Sequence, residues 1–416
     1  MIVNVTRNIP FSPPDMSDAE IDEVIKTLKS GWITTGPRTK LFEKKISEYI
    51  GVKKAVCLNS ATAAMELTLR ILGIGAGDEI ITTAYTYTAS ASVINHVGAK
   101  IVLVDVSPDS FEMDYSKLAD SITEKTKAII SVDIAGKMCD YDAIYRIVES
   151  KRGLFKANNE LQRIFNRIIV MADAAHAFGA ERKGIRCGKA ADFTCFSFHA
   201  VKNLTTAEGG AVVWTNDKGI DNEYLYNQFM LYSLHGQSKD ALAKTQIGAW
   251  EYDIIYPGFK CNMTDIFAGI GLVQLSRYDR LMKRRRQIIE MYNSALMPFG
   301  IQSLQHYGQE FGSSGHLYLT RIPGIGEVER NEIIKKMAEA GVSCNVHYKP
   351  LPMFTAYKML GFDIEDYPNA YKQYANEITL PLHTLLSDED VEYVCLCLKR
   401  AIKEIFIGIK DVTQVG

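Results

Sequence analysis

Three short stretches of the sequence carry side chains whose types suit chemistry on a bound small molecule. Asp173 directly follows an apolar run, and Lys202 lies further along the chain between two other apolar runs. The third stretch is the turn 59–62, Asn-Ser-Ala-Thr, which stands between an apolar run and a helix-prone segment. All three stretches follow predicted strands, which is where an open α/β sheet places its ligand-binding side chains.

Each stretch supports a different part of one chemistry. A turn of small residues that opens a helix offers backbone N–H groups and the positive end of the helix dipole to a phosphate. A partly desolvated lysine has a lowered pKa and condenses with aldehydes. A carboxylate at a neighbouring strand end can keep a pyridine nitrogen protonated, so that the ring accepts electrons. Together the three describe a site for pyridoxal 5'-phosphate.

Each stretch also has a simpler interpretation when it is taken alone. A single lysine is in most cases a solvated surface residue, an aspartate after a strand often caps a helix, and a Ser-x-Thr turn is usually only a cap. The order of the three stretches and their common position at strand ends favour a shared site.

The elements that would position these residues alternate between strands and helices. Such alternation predicts an α/β fold with a large, mainly parallel sheet covered on both faces. The predicted strands are 55–58, 79–83, 100–105, 128–132, 168–172, 193–197 and 210–214, and the predicted first helix of the site is 63–72.

A domain boundary is predicted near Tyr256-Pro257-Gly258, which gives a large domain over 1–257 and a smaller α+β domain over 258–416. One long helix is predicted over 263–297, ended by Pro298. The basic run 283–286 on it is interpreted as a solvated helix face. The polar stretch 149–167 is interpreted as surface elaboration, because it is longer than a βα connection needs.

Composition excludes several classes of protein. The 416 residues carry 47 basic and 49 acidic side chains, a formal net charge of −2. No excess of basic residues is present that would attract nucleic acid or an anionic membrane. Neither a signal peptide nor a transmembrane run is apparent. The eight cysteines are scattered, so reduced, mostly buried thiols are expected, and no metal site. A cytoplasmic protein is predicted.

The motifs around these residues resemble the DegT-type nucleotide-sugar aminotransferases. The resemblance rests on 173–177 (Asp-Ala-Ala-His-Ala), 197–202 (Ser-Phe-His-x-x-Lys), 208–210 (Glu-Gly-Gly), 59–62, 31–37 and 381–383, in consistent order from about residue 9 to residue 403. The chain looks most similar to the branch that aminates 4-keto sugars, such as the UDP-4-amino-arabinose-forming enzymes. The resemblance implies the aspartate aminotransferase fold and a homodimer with both active sites at the interface.

The resemblance also assigns roles by position. Lys202 would bind the cofactor aldehyde and then shuttle the proton, and Asp173 would pair with the pyridinium nitrogen. The remaining cofactor contacts that it implies are Ala61, Thr62 and Ser197 at the phosphate, Tyr87 stacked on the ring, His176 near the ring oxygen, and Lys260. Lys260 stands in a loop that crosses the dimer interface in the family, where many members have asparagine.

The activity implied is transfer of an amino group, from L-glutamate, to a UDP- or dTDP-linked 4-keto sugar by ping-pong chemistry. The alternative is a sugar dehydratase or lyase with the same fold and cofactor; the presence of Lys202, where such dehydratases have histidine, favours transamination. Residues 132–136 depart from the pattern of the 4-keto-sugar branch. His316 and His347 are interpreted as loop or interface residues, or as the lining of the sugar-nucleotide entrance.

Overall fold

The computed structural model describes residues 7–215, 219–239 and 251–413, with the side chains of 407–413 left out. The helices are α1 (Asp18–Lys29), α2 (Pro37–Ile50), α3 (Ala61–Ile71), α4 (Ala89–His96), α5 (Tyr115–Ser121), α6 (Tyr141–Ser150), α7 (Glu160–Phe165), α8 (Asn222–Ser233), α9 (Asp265–Ser276), α10 (Tyr278–Leu296), α11 (Glu327–Glu339), α12 (Thr355–Met359), α13 (Pro368–Ala375) and α14 (Asp388–Thr413). The strands are β1 (Ala55–Leu58), β2 (Glu79–Thr83), β3 (Lys100–Val104), β4 (Thr126–Val132), β5 (Ile169–Asp173), β6 (Glu181–Arg182), β7 (Ile185–Arg186), β8 (Phe193–Ser197), β9 (Gly210–Trp214), β10 (Gln302–Ser303), β11 (Phe311–Gly312), β12 (Tyr318–Arg321) and β13 (Glu377–Leu380).

A seven-stranded sheet with the order β1-β9-β8-β5-β4-β2-β3 forms the centre of the larger part of the molecule. β3, β2, β4, β5 and β8 run parallel to one another, whereas β9 is antiparallel to both β8 and β1. The central strands β2, β5 and β9 are buried along their whole length. Apolar residues on both sheet faces pack against helices, as a sheet covered on two sides requires. The predicted mainly parallel sheet is confirmed.

A third apolar cluster lies around a three-stranded antiparallel sheet, β10-β12-β13. Helices α10, α11 and α14 supply much of this cluster, which matches the smaller α+β unit predicted for the C-terminal part of the chain. The exact boundary at residue 257 stays a prediction.

The prediction of a single long helix over 263–297 is wrong, because α9 and α10 are separated at Arg277. The backbone of Arg277 leaves the helical region at φ −110° and ψ 6°. The Arg277 guanidinium pairs with Asp15 at 2.8 Å and with Glu20 at 2.7 Å. The two helices therefore turn toward different partners: α9 packs on α1 and α2, and α10 packs on α14.

The interpretation of 149–167 as surface elaboration is only half correct. Glu149 and Arg163 are exposed, as expected, but Leu161, Gln162 and Phe165 on α7 are buried. The Gln162 side-chain amide donates a 2.9 Å hydrogen bond to the carbonyl of Leu72 at the end of α3. The segment thus covers the apolar core at the end of α3.

All eight cysteines are free thiols, and five of them are buried. The burial of these five agrees with the expectation that most of the thiols are buried. Within the described ranges, every helix is too short or too polar to pass through a lipid bilayer.

Candidate active site

A cavity of about 370 Å³ opens at the carboxyl ends of the parallel strands β4, β5 and β8. Segments that are far apart in the sequence line it, and all three of the stretches singled out above reach it. Its walls include Phe11, Ser60, Ala61, Thr62, Tyr87, Asp173, His176, Ser197, His199, Lys202, His316, His347 and Tyr348. The sequence prediction of one shared site is therefore matched by the geometry.

Asp173 is the last residue of β5 and is buried beneath this cavity. Its Oδ2 accepts a 2.6 Å hydrogen bond from the Ser90 hydroxyl, and its Oδ1 accepts one of 3.2 Å from the Ala175 N–H. Burial raises the pKa of Asp173, while these donors and the positive charge of Lys202 oppose the rise. A cationic ring nitrogen placed here would favour the carboxylate further.

Lys202 lies in the turn between β8 and β9 and also lines the cavity. The turn is closed by hydrogen bonds from the Thr206 N–H to the Phe198 carbonyl (2.9 Å) and from the Lys202 N–H to the His199 carbonyl (2.9 Å). Burial lowers the pKa of the Lys202 amine to about 8, and the negative charge of Asp173 opposes this fall. At pH 7 about a tenth of the amine is therefore uncharged, far more than for a lysine of ordinary pKa, and the uncharged amine is the form that attacks an aldehyde.

The N-terminus of α3 forms the third wall. The Ser60 hydroxyl caps it by accepting a 3.1 Å hydrogen bond from the Ala63 N–H. Ser60 accepts from Ala63 and not from Ala61 or Thr62. The N–H groups of these two residues, which line the cavity, stand at the positive end of an 11-residue helix. Such an end binds phosphate.

Gly210 allows the first turn of α3, which we call the phosphate cradle, to lie against strand β9 at the cavity. A Cβ at this position would lie 2.4 Å from the Ala61 nitrogen and 2.4 Å from the Ser60 carbonyl carbon, far inside van der Waals contact. Strand β9 can therefore approach the first turn of α3 only with glycine here. This steric requirement explains the second glycine of the Glu-Gly-Gly motif at 208–210.

We expect Gly210→Ala to weaken cofactor affinity by about 10-fold or more, because the added methyl group pushes the first turn of α3 out of position. Fluorescence titration of the apoprotein with pyridoxal phosphate measures the change. Gly153→Ala is the matched control, since nothing lies within 4 Å of its Cβ position. Equal affinities of the Gly210 variant and wild type would contradict the assignment of the phosphate cradle.

His176 lies on the cavity wall, beside Tyr348. Its Nδ1 accepts a 3.1 Å hydrogen bond from the Ala135 N–H, so the ring proton is on Nε2, 3.0 Å from the Tyr348 hydroxyl. Burial holds the pKa of His176 well below its ordinary value, and the nearby charge of Lys202 adds to this effect. His176 is therefore a neutral hydrogen-bonding group at the site.

His316 and His347 also line the cavity. The ring centroid of His316 is 4.4 Å from that of His176, and its Nδ1 is 2.9 Å from the Asn203 Oδ1. His347 stacks on Phe11 with centroids 5.6 Å apart. Both residues line the cavity, and whether they meet the sugar nucleotide at its entrance stays a prediction. Phe11 and Tyr348 were missed, because no local pattern marks them. Phe11 reaches the site from the N-terminal segment before α1, and Tyr348 from the segment between α11 and α12.

Three predicted contacts lie at or beyond the edge of the cavity. Ser197 ends β8 and lines the cavity, next to the Lys202 turn. Tyr87 lines the mouth of the cavity and is 60% exposed. Lys260 does not line the cavity of its own chain; it is exposed, and its amine contacts the Asn262 side chain.

The residues present fit pyridoxal phosphate in chemical type and arrangement. A helix N-terminus for the phosphate, an amine of lowered pKa for the aldehyde and a buried carboxylate for the ring nitrogen face one cavity. Within the part of the chain that the structure describes, no three His, Cys, Asp or Glu side chains come together to hold a metal ion.

Comparison with known proteins agrees with this assignment. Residues 14–399 match the model of the DegT/DnrJ/EryC1/StrS aminotransferase family. The chain is 36% identical over 409 residues to the spore coat polysaccharide biosynthesis protein SpsC of Bacillus subtilis, covering 97% of this chain and 99% of SpsC. It is 38% identical over 400 residues to an uncharacterized protein of Methanocaldococcus jannaschii, covering 95% of this chain and 98% of that protein.

The solved structures that this chain resembles are also aminotransferases. Spr1654 of Streptococcus pneumoniae, assigned as a sugar aminotransferase and solved in its PMP form, shares 56% identity with a TM-score of 0.94, over 96% of this chain and 100% of that one. The PLP form of the same protein shares 54% identity with a TM-score of 0.93, over 96% of this chain and 100% of that one. Helicobacter pylori PseC, an aminotransferase involved in the biosynthesis of pseudoaminic acid, shares 29% identity with a TM-score of 0.83, over 96% of this chain and 100% of PseC.

The predicted fold and the predicted cofactor, pyridoxal phosphate, are both confirmed by these comparisons. The family model covers most of the chain, and two relatives exceed 30% identity over nearly their full length. The chain belongs to the DegT/DnrJ/EryC1/StrS aminotransferase family.

Proposed function

We propose that the protein is a pyridoxal-phosphate-dependent aminotransferase that moves an amino group from L-glutamate to a UDP- or dTDP-linked 4-keto sugar by ping-pong chemistry. The observation that carries this proposal is the placement of Lys202, Asp173 and the α3 N-terminus around one cavity. The presence of a lysine at position 202 favours transamination over the dehydratase or lyase chemistry of the same fold.

The side chains of this site divide the work. Bound pyridoxal phosphate supplies an aldehyde and a ring that accepts electrons. Lys202 would bind that aldehyde and, once released, would move a proton between the substrate carbon and the cofactor carbon that carried the aldehyde, in opposite directions in the two half-reactions. Asp173, oriented by Ser90, holds the proton on the ring nitrogen. The N–H groups of Ala61 and Thr62 hold the phosphate, and His176 hydrogen-bonds beside the ring.

A sugar acceptor is supported by the relatives rather than by a single residue. SpsC is a spore coat polysaccharide biosynthesis protein, Spr1654 is assigned as a sugar aminotransferase, and PseC acts in pseudoaminic acid biosynthesis. Phe11, Tyr87 and His347 line the same cavity as Lys202, and such flat rings suit packing against a sugar. We assign the 4-keto-sugar branch on the sequence motifs and on Lys260. A cytoplasmic location without nucleic-acid or membrane partners completes the proposal.

A product assay tests the substrate assignment. We expect the enzyme, incubated with L-glutamate and a UDP- or dTDP-linked 4-keto sugar, to give an amino sugar of the expected mass and an equal amount of 2-oxoglutarate. Loss of water from the sugar without 2-oxoglutarate would indicate the lyase alternative. Turnover of glutamate with simple keto acids but with no nucleotide sugar would contradict the sugar proposal.

A homodimer with shared active sites is supported by an exposed apolar surface. Ile21, Ile25 and Leu28 follow the i, i+4, i+7 spacing of one face of α1 and are 57%, 41% and 52% exposed. Ile33, which follows α1 in the chain, and Leu41 on α2 are 50% and 45% exposed. Apolar side chains gathered in this way mark an interface. Lys260, which lies outside the cavity of its own chain, would reach that of its partner.

We expect the double variant Ile21→Glu/Leu28→Glu to be monomeric and inactive, because two charges would be buried in the interface. Light scattering after gel filtration measures the mass. Val328→Glu is the control, since Val328 is 73% exposed on α11 and outside this surface. A wild-type monomer, or a double variant that stays dimeric, would contradict the proposed interface.

A further inference from the structure

His347 is connected to a buried carboxyl group by a single hydroxyl. His347 Nδ1 is 2.9 Å from the Thr379 Oγ1, and Thr379 Oγ1 is 2.6 Å from Glu377 Oε1. The second oxygen of Glu377 accepts a 2.8 Å hydrogen bond from the backbone N–H of His347. The three side chains therefore form a continuous line from the cavity wall into the core of the smaller domain.

The line is held rigidly at both ends. Glu377 and Thr379 belong to β13, are fully buried, and share a cross-strand ladder with β12. At the cavity end, the ring of His347 is fixed by stacking on Phe11, with an angle of 20° between the planes. Because Nδ1 is taken by Thr379, Nε2 is the nitrogen that is left for a ligand in the cavity.

The hydroxyl in the middle allows two arrangements of protons. With Glu377 ionised, Thr379 donates to Glu377 and accepts from Nδ1–H, so Nε2 is a proton acceptor. With Glu377 protonated, the carboxyl donates to Thr379, Thr379 donates to Nδ1, and Nε2 carries the proton. A neutral imidazole has one donor and one acceptor nitrogen, so its tautomer follows the state of Glu377.

We propose that His347, Thr379 and Glu377 form a proton relay that exchanges one proton between an oxygen of a ligand in the cavity and the buried carboxyl of Glu377. A proton passes from the ligand hydroxyl to Nε2, the Nδ1 proton passes to Thr379, and the Thr379 proton passes to Glu377. Three bonds to hydrogen break, three form, and no electrons are transferred. His347 contacts the ligand, whereas Thr379 and Glu377 act through it as positioning residues.

The relay explains how a histidine with depressed basicity can accept a proton. Burial lowers the pKa of His347 to about 3, and the charge of Lys202 contributes to the fall. Burial raises the pKa of Glu377 to about 8, against the opposing effects of Thr379, the His347 N–H and Arg330. A proton that enters at Nε2 is therefore stored on Glu377 rather than on the imidazole.

The surrounding groups are compatible with such an exchange. The charged groups that face Glu377 are Arg330, whose guanidinium bonds its backbone carbonyl, and Arg321, its cross-strand partner. The neutral titratable groups that face it are Tyr85, Tyr348 and Cys344. Lys202, His176 and His316 face His347.

The tautomer of His347 tests the relay directly, without any substrate. The holoenzyme is labelled with ¹⁵N-histidine, and the His347 signals are identified by their loss in His347→Gln. We expect the ring proton on Nε2 below, and on Nδ1 above, a midpoint near pH 8, over a titration from about pH 6 to pH 9.5. A single tautomer over this whole range would overturn the proposal.

Variants show whether the hydroxyl and the carboxyl are the coupling groups. Thr379→Val and Glu377→Gln should each abolish the change of tautomer, and Thr379→Ser should restore it. Thr320→Val is the matched control, because the equally buried Thr320 hydroxyl bonds the Ile378 carbonyl on the neighbouring strand and not His347. An unchanged midpoint in Thr379→Val or in Glu377→Gln would contradict the relay. This test does not use a sugar, so the proposed function can fail while the relay holds, and the reverse.

Discussion

Replacing Lys202 with alanine is expected to remove about 10⁴-fold or more of the aminotransferase rate, since it deletes both the amine that binds the cofactor aldehyde and the group that moves the proton. The purified variant should also lack the absorbance band near ~420 nm that a lysine-bound pyridoxal phosphate gives. Steady-state production of 2-oxoglutarate from L-glutamate, together with the spectrum, measures both effects.

The control for this variant is Lys53→Ala, which removes an exposed lysine far from the cavity and should leave rate and spectrum unchanged. An alanine variant at position 202 that kept the full rate would exclude any covalent role for this lysine.

Changing Asp173 to asparagine is expected to slow the glutamate half-reaction by about 10² to 10⁴-fold while leaving the ~420 nm band in place. Asparagine has the size of aspartate and can still hydrogen-bond to Ser90, but it has no charge with which to keep the ring nitrogen protonated. Stopped-flow absorbance after mixing with L-glutamate measures this half-reaction.

Asp120→Asn, at an exposed position on α5, is the control for loss of one negative charge. A second variant, Ser90→Ala, removes the 2.6 Å hydrogen bond that orients the carboxylate, and a smaller loss of rate is expected. A wild-type rate in Asp173→Asn would show that the carboxylate does not set the protonation of the ring.

The elements around the site are largely predictable from the sequence because their signals are local. The strands before Asp173 and Lys202 are short, buried apolar runs, and α3 begins at Ser60, a residue that caps helices. The parallel order follows from strands alternating with helices. From these local rules alone, the sequence predicts that Asp173, Lys202 and the turn 59–62 lie together at one edge of the sheet.

The features that the sequence did not reveal depend on contacts between distant segments. Phe11 and Tyr348 reach the cavity from opposite parts of the chain, and no periodicity marks them. The relay through Thr379 and Glu377 lies on a strand whose residues look like an ordinary buried edge of the core. The break at Arg277 is likewise decided by ion pairs with Asp15 and Glu20, far away in sequence.

Tyr87 and Lys260 show a different limit. Both were assigned by resemblance, and in the single chain one lies at the cavity mouth and the other outside the cavity. Their roles toward the cofactor stay predictions that a complex with bound cofactor and partner would test.

The absorbance spectrum of the purified protein, before and after excess L-glutamate, is the measurement to make first. It tests whether Lys202 binds pyridoxal phosphate and whether L-glutamate donates its amino group to the cofactor. We expect a band near ~420 nm that falls with glutamate while a band near ~330 nm rises, as the cofactor passes to its amino form. A ~420 nm band whose absorbance does not change when glutamate is added would contradict the assigned amino donor. The absence of any band after addition of pyridoxal phosphate would contradict the assignment of Lys202 and of the site itself.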